Sequence, residues 1–458
     1  MLWSDDAEWG GLAQSRCILD NLQERIMKNV LVIGSGGREA AIVNKLADDN
    51  AIGHIFCSPG SAGIRAISPK VELYAGDDLP SLCAFVEREH VDLTLVGPEI
   101  PLVDGIVDVF HKAGLRIVGP TKAAAQLEGS KVFCKQLLRD HHIPTAPFEV
   151  FDDPHAARQH IYKHGPPIVV KADGLAGGKG VVVARTYEEA TDAVNQIMVQ
   201  HVFGASAGRR VVIEDCLTGE ECSMIALVDG KTIVPFIPAQ DYKPALDNDE
   251  GPNTGGMGCY APVPACTPDI RRQIVQNILS PIVEAMRKRG TPFTGVMYAG
   301  LMLTANGPQV LEINCRFGDP EAQALLALLP VNLLPLLEAT ADGTLGSLPI
   351  DALPIWRQKT AAVCLVLAAR GYPGSYQKGL AIAGIDQAQA LGVTVLHAGT
   401  APAPSGDGWV TNGGRVLNLV ATGATFREAR DRVYQAAHGI TFGGEAPHFR
   451  TDIAQRVC

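Results

Sequence analysis

Over the first third of the chain, hydrophobic positions fall into short, nearly continuous runs separated by stretches of helical period. Asn29–Ile33 reads as a buried strand, followed by a glycine loop and a helix through Ala41–Ala47. His54–Cys57, Val91–Val96 and Arg116–Val118 read as further strands, with helices over Leu79–Glu89 and Leu102–Ala113 between them. This alternation predicts βαβ units on a parallel sheet over 28–128. A helix then runs from Lys131 to Asp140. Strands are expected at Pro167–Lys171, Val181–Ala184 and Arg210–Glu214, with a helix near Tyr187–Val199; together they suggest a small lid over about 147–218. Longer strands at Ser223–Val228, Gly295–Leu303 and Val310–Asn314 suit an antiparallel sheet, completing a second domain over 129–330. The third region, 331–458, reads as a mixed α+β domain. Its strands are expected at Lys359–Ala369, Val393–Ala398, Val410–Thr411 and Arg415–Thr422, and its helix over Thr425–Ala437 starts at a Thr425 cap with Glu428 three residues on.

Composition narrows the class. The 458 residues fit about three domains at roughly 150 residues each. A net charge of −10 without a Lys/Arg block argues against binding to duplex nucleic acid. Eleven scattered cysteines with no CxxC pair argue against a disulfide framework or thiolate zinc site and for a reducing, cytoplasmic setting. The longest apolar stretch, Ala324–Leu337, is interrupted by Pro330, Asn332 and Pro335 and is shorter than the ~20 residues a membrane span needs. Residues 1–27 are acidic and lack the apolar core of a secretory signal; they are expected to be an extension, not native or disordered.

Glycine, at 48 residues, clusters where chemistry is expected. Gly34-Ser-Gly-Gly-Arg-Glu39 follows a strand and opens a helix, the setting of a phosphate site. Glu39 stands where a dinucleotide fingerprint needs glycine, and no acid follows the second strand, so hydride transfer is disfavoured. Gly36, Gly37 and Arg38 suit an anionic substrate instead. Lys171-Ala-Asp-Gly-Leu-Ala-Gly-Gly-Lys-Gly180 lies between two β runs, and reads as a flap over a polyphosphate such as ATP, with Gly177, Gly178, Lys179 and Gly180 close to it. Val211–Leu217 ends a strand in Glu214, which suits an adenine edge, and Glu221 is placed for ribose hydroxyls. Glu312 and Asn314, at i and i+2, share one strand face and supply two hard oxygen ligands for magnesium. Arg316 falls on the same face and suits a carboxylate or a transferring phosphoryl group. Gln240–Lys243, with Asp241 and Lys243, and the small-residue loop Gly251–Gly258, with Asn253, Thr254, Gly255, Gly256 and Met257, suit a sugar or phosphate.

Taken together and in this order, GSGGRE (34–39), VGPE (96–99), QLEGSK (126–131), KADGLAGGKGV (171–181), GPNTGGMG (251–258), LEINCRFGDPE (311–321) and TNGGRVL (411–417) resemble the phosphoribosylamine–glycine ligases of the ATP-grasp superfamily, from about Met27 to the C-terminus. The resemblance implies an N-terminal parallel α/β domain, an ATP-grasp domain with a small lid, and a mixed C-terminal domain. It implies that ATP, glycine and 5-phosphoribosylamine give glycinamide ribonucleotide, ADP and phosphate in purine synthesis. By motif match, Lys131 and Lys171 would contact ATP phosphates, Lys171 also lying near adenine. Glu214 and Leu217 would hold adenine, Glu221 the ribose, and Glu312 and Asn314 magnesium or manganese. The expected partners are these small substrates, with a monomer and at most transient contact with neighbouring purine-pathway enzymes. Ala40, Ser61, Pro244, Ala322, Leu328, Thr451 and Ala454 depart from the family's usual residues. Several are expected to line the sugar-phosphate pocket. That keeps open a second reading, an ATP-grasp carboxylate–amine ligase with a diverged sugar site. A third is a non-catalytic nucleotide-binding relative, against which Lys171, Glu312, Asn314 and Arg316 weigh.

Overall fold

The computed structural model describes residues 27–76, 78–177, 179–204, 207–349 and 360–458. The expected N-terminal extension, apart from Met27, lies outside them, as do Gly178 and the start of the strand expected from Lys359.

The first domain is a five-stranded parallel sheet in the order Val71–Leu73, Ile52–Pro59, Lys28–Gly34, Leu93–Val96, Ile117–Val118. Strand order reverses at Lys28–Gly34, and the crevice at its carboxyl end receives the loop that opens helix Gly37–Ala47. Val30, Val32 and Leu31 are fully buried, as expected of a sheet covered on both faces. The single helix expected over Leu102–Ala113 is two, Glu99–Asp104 and Ile106–Lys112, because Gly105 adopts φ 100° between them.

The second region holds two four-stranded sheets and a two-stranded one, Pro244–Leu246 with Glu250–Asn253. The antiparallel sheet runs Ile233–Pro235, Glu220–Asp229, Thr294–Thr304, Gly307–Asn314. The lid sheet runs Phe148–Phe151, Val211–Asp215, Ile168–Ala172, Val181–Ala184, also antiparallel. Lys171 pairs with Val181, so the glycine loop is a hairpin, as its flanking β runs predict. Helix Pro154–His164, capped by Asp153 and absent from the sequence reading, covers this sheet together with Tyr187–Val194. Ala157, Ile161, Ile168, Val170, Ala193, Val211 and Ile213 give the lid a hydrophobic core of its own, separate from the two large ones. Few apolar contacts therefore tie it to the body.

A further five-stranded sheet crosses the boundary expected at 330. Gln240–Asp241 and Gly258–Ala261 join Ala361–Ala368, Arg415–Gly423 and Thr394–His397, with Cys259 opposite Cys364. The small-residue loop is thus held between the antiparallel sheet and the C-terminal domain. Thr425 caps helix Phe426–Gly439, accepting from Glu428 N at 3.2 Å. No single helix among the described residues is long and apolar enough to cross a membrane; Glu321–Leu328 and Leu333–Ala341, apolar as a pair, meet at 112° and are largely buried in the core.

Candidate active site

The three parts enclose a cavity of about 380 Å3. One wall is the lid sheet. Period 2 along Ile168–Ala172 sends Ile168, Val170 and Ala172 into the lid core and leaves Val169 and Lys171 on the cavity side. Val211 and Ile213 do the same on the next strand, leaving Glu214 to the cavity. Val169 pairs with Glu214 and Lys171 with Val212, so Lys171 and Glu214 are diagonal neighbours within reach of long side chains. Lys171 Nζ lies 2.5 Å from Glu214 Oε1 and donates to Leu311 O at 2.8 Å. That carbonyl is free because Leu311 is the bulged residue of its strand: Glu312 pairs with Gly300 and Val310 with Leu301. Lys135, one turn beyond Lys131, donates to Glu214 Oε2 at 2.7 Å, to Thr145 Oγ1 at 2.7 Å and to Ala146 O at 3.2 Å. Burial would push the Glu214 carboxyl up, but the two lysines outweigh it and hold it below its ordinary range. Leu217 and Cys216 border the same recess.

A second wall is the strand end Glu312–Asn314 and the turn after it. Glu312, Asn314 and Arg316 all reach the cavity. Lys243 Nζ stands 3.4 Å from Glu312 and 3.8 Å from Glu221. Lys243, overriding burial, lowers the Glu312 pKa to about 2. One carboxylate and one amide oxygen suit a divalent ion that fills its shell with phosphate oxygens and water. Among the described residues no group of three or more His, Cys, Asp or Glu forms an all-protein cage. The donor set fits an ion that arrives with a polyphosphate. Arg316 is committed to protein: Nε to Glu99 Oε2 at 3.1 Å, Nη2 3.0 Å from Glu128 Oε1, and Nη1 to Phe317 O at 3.2 Å.

The third wall joins the N-terminal loop to the C-terminal domain. Arg38 lines the cavity, its Nε on Glu39 Oε1 at 2.6 Å and Nη1 on Phe317 O at 3.2 Å. Arg415 enters from the C-terminal domain. It donates to Gly255 O at 2.6 Å and Asp319 O at 2.8 Å, and pairs with Asp319 Oδ2 at 2.8 Å, fixing the small-residue loop. Asp241 is half-buried, with its enclosed Oδ1 unpartnered; burial, then Glu321, push its pKa well above its ordinary value. Gly256, at φ 110°, lies so close that a Cβ would come within 2.7 Å of Asp241 Oδ1.

Family models for the phosphoribosylglycinamide synthetase N domain, ATP-grasp domain and C domain match residues 28–128, 129–322 and 362–456. The chain belongs to the phosphoribosylglycinamide synthetase family. A phosphoribosylamine–glycine ligase of Vibrio vulnificus is 47% identical over 94% of this chain and 98% of its own length. The trifunctional purine biosynthetic protein adenosine-3 of Gallus gallus is 48% identical over 93% of this chain, which spans 42% of that protein. The crystal structure of the Thermotoga maritima phosphoribosylamine–glycine ligase superposes with a TM-score of 0.78 at 33% identity, over 93% of this chain and all of that one. The biotin carboxylase domain of a Hydrogenobacter thermophilus 2-oxoglutarate carboxylase, solved with MgADP, shares the fold at TM-score 0.69 and 16% identity, over 94% of this chain and 98% of that one.

Of the residues expected to serve a synthetase of this family, Arg38, Lys131, Lys171, Gly177, Gly180, Glu214, Leu217, Glu221, Asp241, Lys243, Asn253, Thr254, Gly255, Glu312, Asn314 and Arg316 line one cavity. Gly36 and Gly37 lie behind Arg38, outside its lining; a Cβ on Gly37 would strike Asn418 Nδ2 at 2.2 Å. Lys179 is exposed on the flap, and Gly178 is outside the described residues. Met257 is fully buried, its backbone bonded to Tyr242 O and Val366 N, and it does not line the cavity. Lys135, Glu99, Glu128, Asp319 and Arg415 were given no role, although Glu99, Glu128, Asp319 and Arg415 lie within VGPE, QLEGSK, LEINCRFGDPE and TNGGRVL; only Lys135 lies outside those motifs. The family departures are placed elsewhere than expected: none of Ala40, Ser61, Pro244, Ala322, Leu328, Thr451 and Ala454 lines the cavity. Ala40, Ala322 and Leu328 are core residues, Ser61 caps a short helix by accepting from Ile64 N at 3.2 Å, and Thr451 N donates to Asp247 at 2.7 Å.

Proposed function

We propose that the chain joins glycine to 5-phosphoribosylamine at the expense of ATP, giving glycinamide ribonucleotide, ADP and phosphate in purine biosynthesis. The observation that carries this is a single cavity lined by Lys171 and Glu214, the latter also paired with Lys135, by the Glu312/Asn314 oxygen pair and by the Arg38 and Arg415 anchors.

In the first step a glycine carboxylate oxygen bonds to the γ-phosphorus of ATP, and the bond to the β-γ bridging oxygen breaks with loss of ADP. The amine nitrogen of phosphoribosylamine then attacks the acyl carbon; the C–N bond forms, phosphate leaves, and the nitrogen loses a proton. The chain's residues position groups and compensate charge. Lys131 and Lys171 face the phosphates, with Glu214 and Leu217 at the base and Glu221 at the ribose. Glu312 and Asn314 would hold Mg2+ or Mn2+, which neutralises polyphosphate charge when bound. Arg316 borders the phosphate region and is held in place by Glu99 and Glu128, so it does not swing toward substrate. Asp241, Lys243, Asn253, Thr254 and Gly255 border the amine and sugar side. Ten unpaired cysteines among the described residues fit a cytoplasmic enzyme, working as a monomer on small substrates.

A coupled ADP-release assay tests the reading. Release requiring both glycine and phosphoribosylamine is expected; release with glycine and only some other amine would move the sugar site to a different ligase, and ATP binding without any release would make the chain non-catalytic. Cys216 offers a direct check of nucleotide placement. It borders the cavity and is partly exposed, whereas Cys83, similarly exposed, lies far along the chain in helix Leu79–Arg88 and outside the cavity lining. MgATP is expected to slow alkylation of Cys216 several-fold by peptide mass spectrometry and leave Cys83 unchanged. Equal protection of both, or of neither, would displace the nucleotide from this recess.

A further inference from the structure

Asp173 opens the flap loop, directly after the strand that carries Lys171. It is 8% exposed, yet all its carboxylate capacity is used. Oδ1 accepts from Ser130 Oγ at 2.8 Å and Val132 N at 3.1 Å, at the start of helix Lys131–Asp140. Oδ2 accepts both arms of Arg210, Nε at 2.9 Å and Nη2 at 2.6 Å, and Asp173 N donates to Arg210 O at 3.2 Å. Ser130 Oγ in turn accepts from Phe133 N at 3.1 Å, capping the same helix.

These contacts close a ring. From Asp173 the path runs through Ser130 and Val132 into the helix, along it to Lys135, across to Glu214, on to Lys171, and back through Ala172 to Asp173. Lys131 sits at the first position of that helix. The ring therefore fixes the helix bearing Lys131 against the strand bearing Lys171 at the flap's root, below the segment between Gly174 and Lys179. A carboxylate suits the place on two counts: it meets a positive helix N-terminus on one side and a guanidinium fork on the other. Asparagine cannot serve both, since its oxygen can accept from the helix only by turning its NH2 toward the donors of Arg210.

We propose that Asp173 is a positioning residue for the ligase reaction, setting the spacing of Lys131 and Lys171 so that the ATP phosphates meet both at once. It touches neither ATP nor the reacting atoms. The inference rests on the ATP-site reading above, and wild-type MgATP binding by calorimetry serves as the baseline that tests that reading separately.

The test is a double-mutant cycle on the full chain with D173N, R210A and D173N/R210A, plus D173A where it folds. D173N and R210A are each expected to raise KM for ATP by about tenfold, leaving KM for glycine and phosphoribosylamine unchanged. The double variant is expected to be no worse than either single one, because both remove the same contact. D173A, which also removes the acceptor for Ser130 Oγ and Val132 N, is expected to exceed D173N. A merely structural role would lower kcat through lost folded enzyme and leave every KM in place. That result, additive effects of the two substitutions, or KM for all three substrates moving together would each overturn the proposal, provided the wild type binds MgATP.

Discussion

Replacing Glu312 by alanine is expected to cut kcat by about 100-fold or more, the scale on which one preorganised electrostatic contact acts in a water-poor site. The loss has two sources. One of the two oxygen donors assigned to the metal disappears, and the Lys243 cation is left with Glu221 at 3.8 Å as its nearest acid among the described residues. Because Lys243 keeps Glu312 ionised down to a pKa of about 2, the wild-type carboxylate holds its charge throughout the neutral and mildly acidic range. Its contribution to stability is present above the ordinary carboxylate pKa and fades only as pH falls toward 2. E312Q should therefore be nearly as inactive as E312A at pH 7, since both lack the charge, and added Mg2+ should recover part of the activity by raising occupancy. Steady-state kinetics over a magnesium series reads this directly. Near wild-type turnover for E312A at ordinary magnesium would remove the metal assignment.

Local pattern made much of this site legible. Strand parity placed Glu312 and Asn314 on one side, the turn that follows brings Arg316 to the same cavity, and the β-rich flanks of the glycine loop gave the Lys171–Val181 hairpin. What stayed hidden depends on contacts between distant segments. Lys135 reads as one more lysine on an amphipathic helix until the lid strand brings Glu214 to it across 79 residues. Arg415 reaches Asp319 across 96 residues. Arg316 looked free to grip a substrate because nothing nearby in sequence shows that Glu99 and Glu128 occupy its fork. The pairing of Gly258–Ala261 with the C-terminal sheet is also non-local, and it explains why Met257 ends as core rather than lining. The family departures misled in the opposite sense: a change from a usual residue gives no location, and these side chains fall in core, cap and C-terminal contacts.

Glu214→Ala is expected to destabilise the protein by about 3–5 kcal/mol, because it removes one acid and strands two buried cations. Lys135 and Lys171 are 4% and 8% exposed at the side chain and, among the described residues, have no second carboxylate at ion-pair distance, so neither recovers its charge balance by moving to water. The sign with pH follows from the direction of the shift. The native Glu214 pKa is depressed by the lysines, so its contribution is present at neutral pH and is lost as pH falls below the ordinary glutamate value. Thermal melts of wild type and E214A should therefore converge on acidification. The combined variant E214M/K135M separates the cost of stranded charge from the cost of the lost site. Two apolar side chains of similar length replace one of the two pairs, an exchange that is often close to neutral for stability, and leave Lys171, still donating to Leu311 O at 2.8 Å, as one stranded cation where E214A leaves two. Its melting temperature is expected to lie well above that of E214A, while MgATP binding stays lost because the carboxylate at the base of the recess is gone. If E214M/K135M melted as low as E214A, stranded charge would not be the reason for the instability. If it bound MgATP like the wild type, Glu214 would have no part in holding the nucleotide.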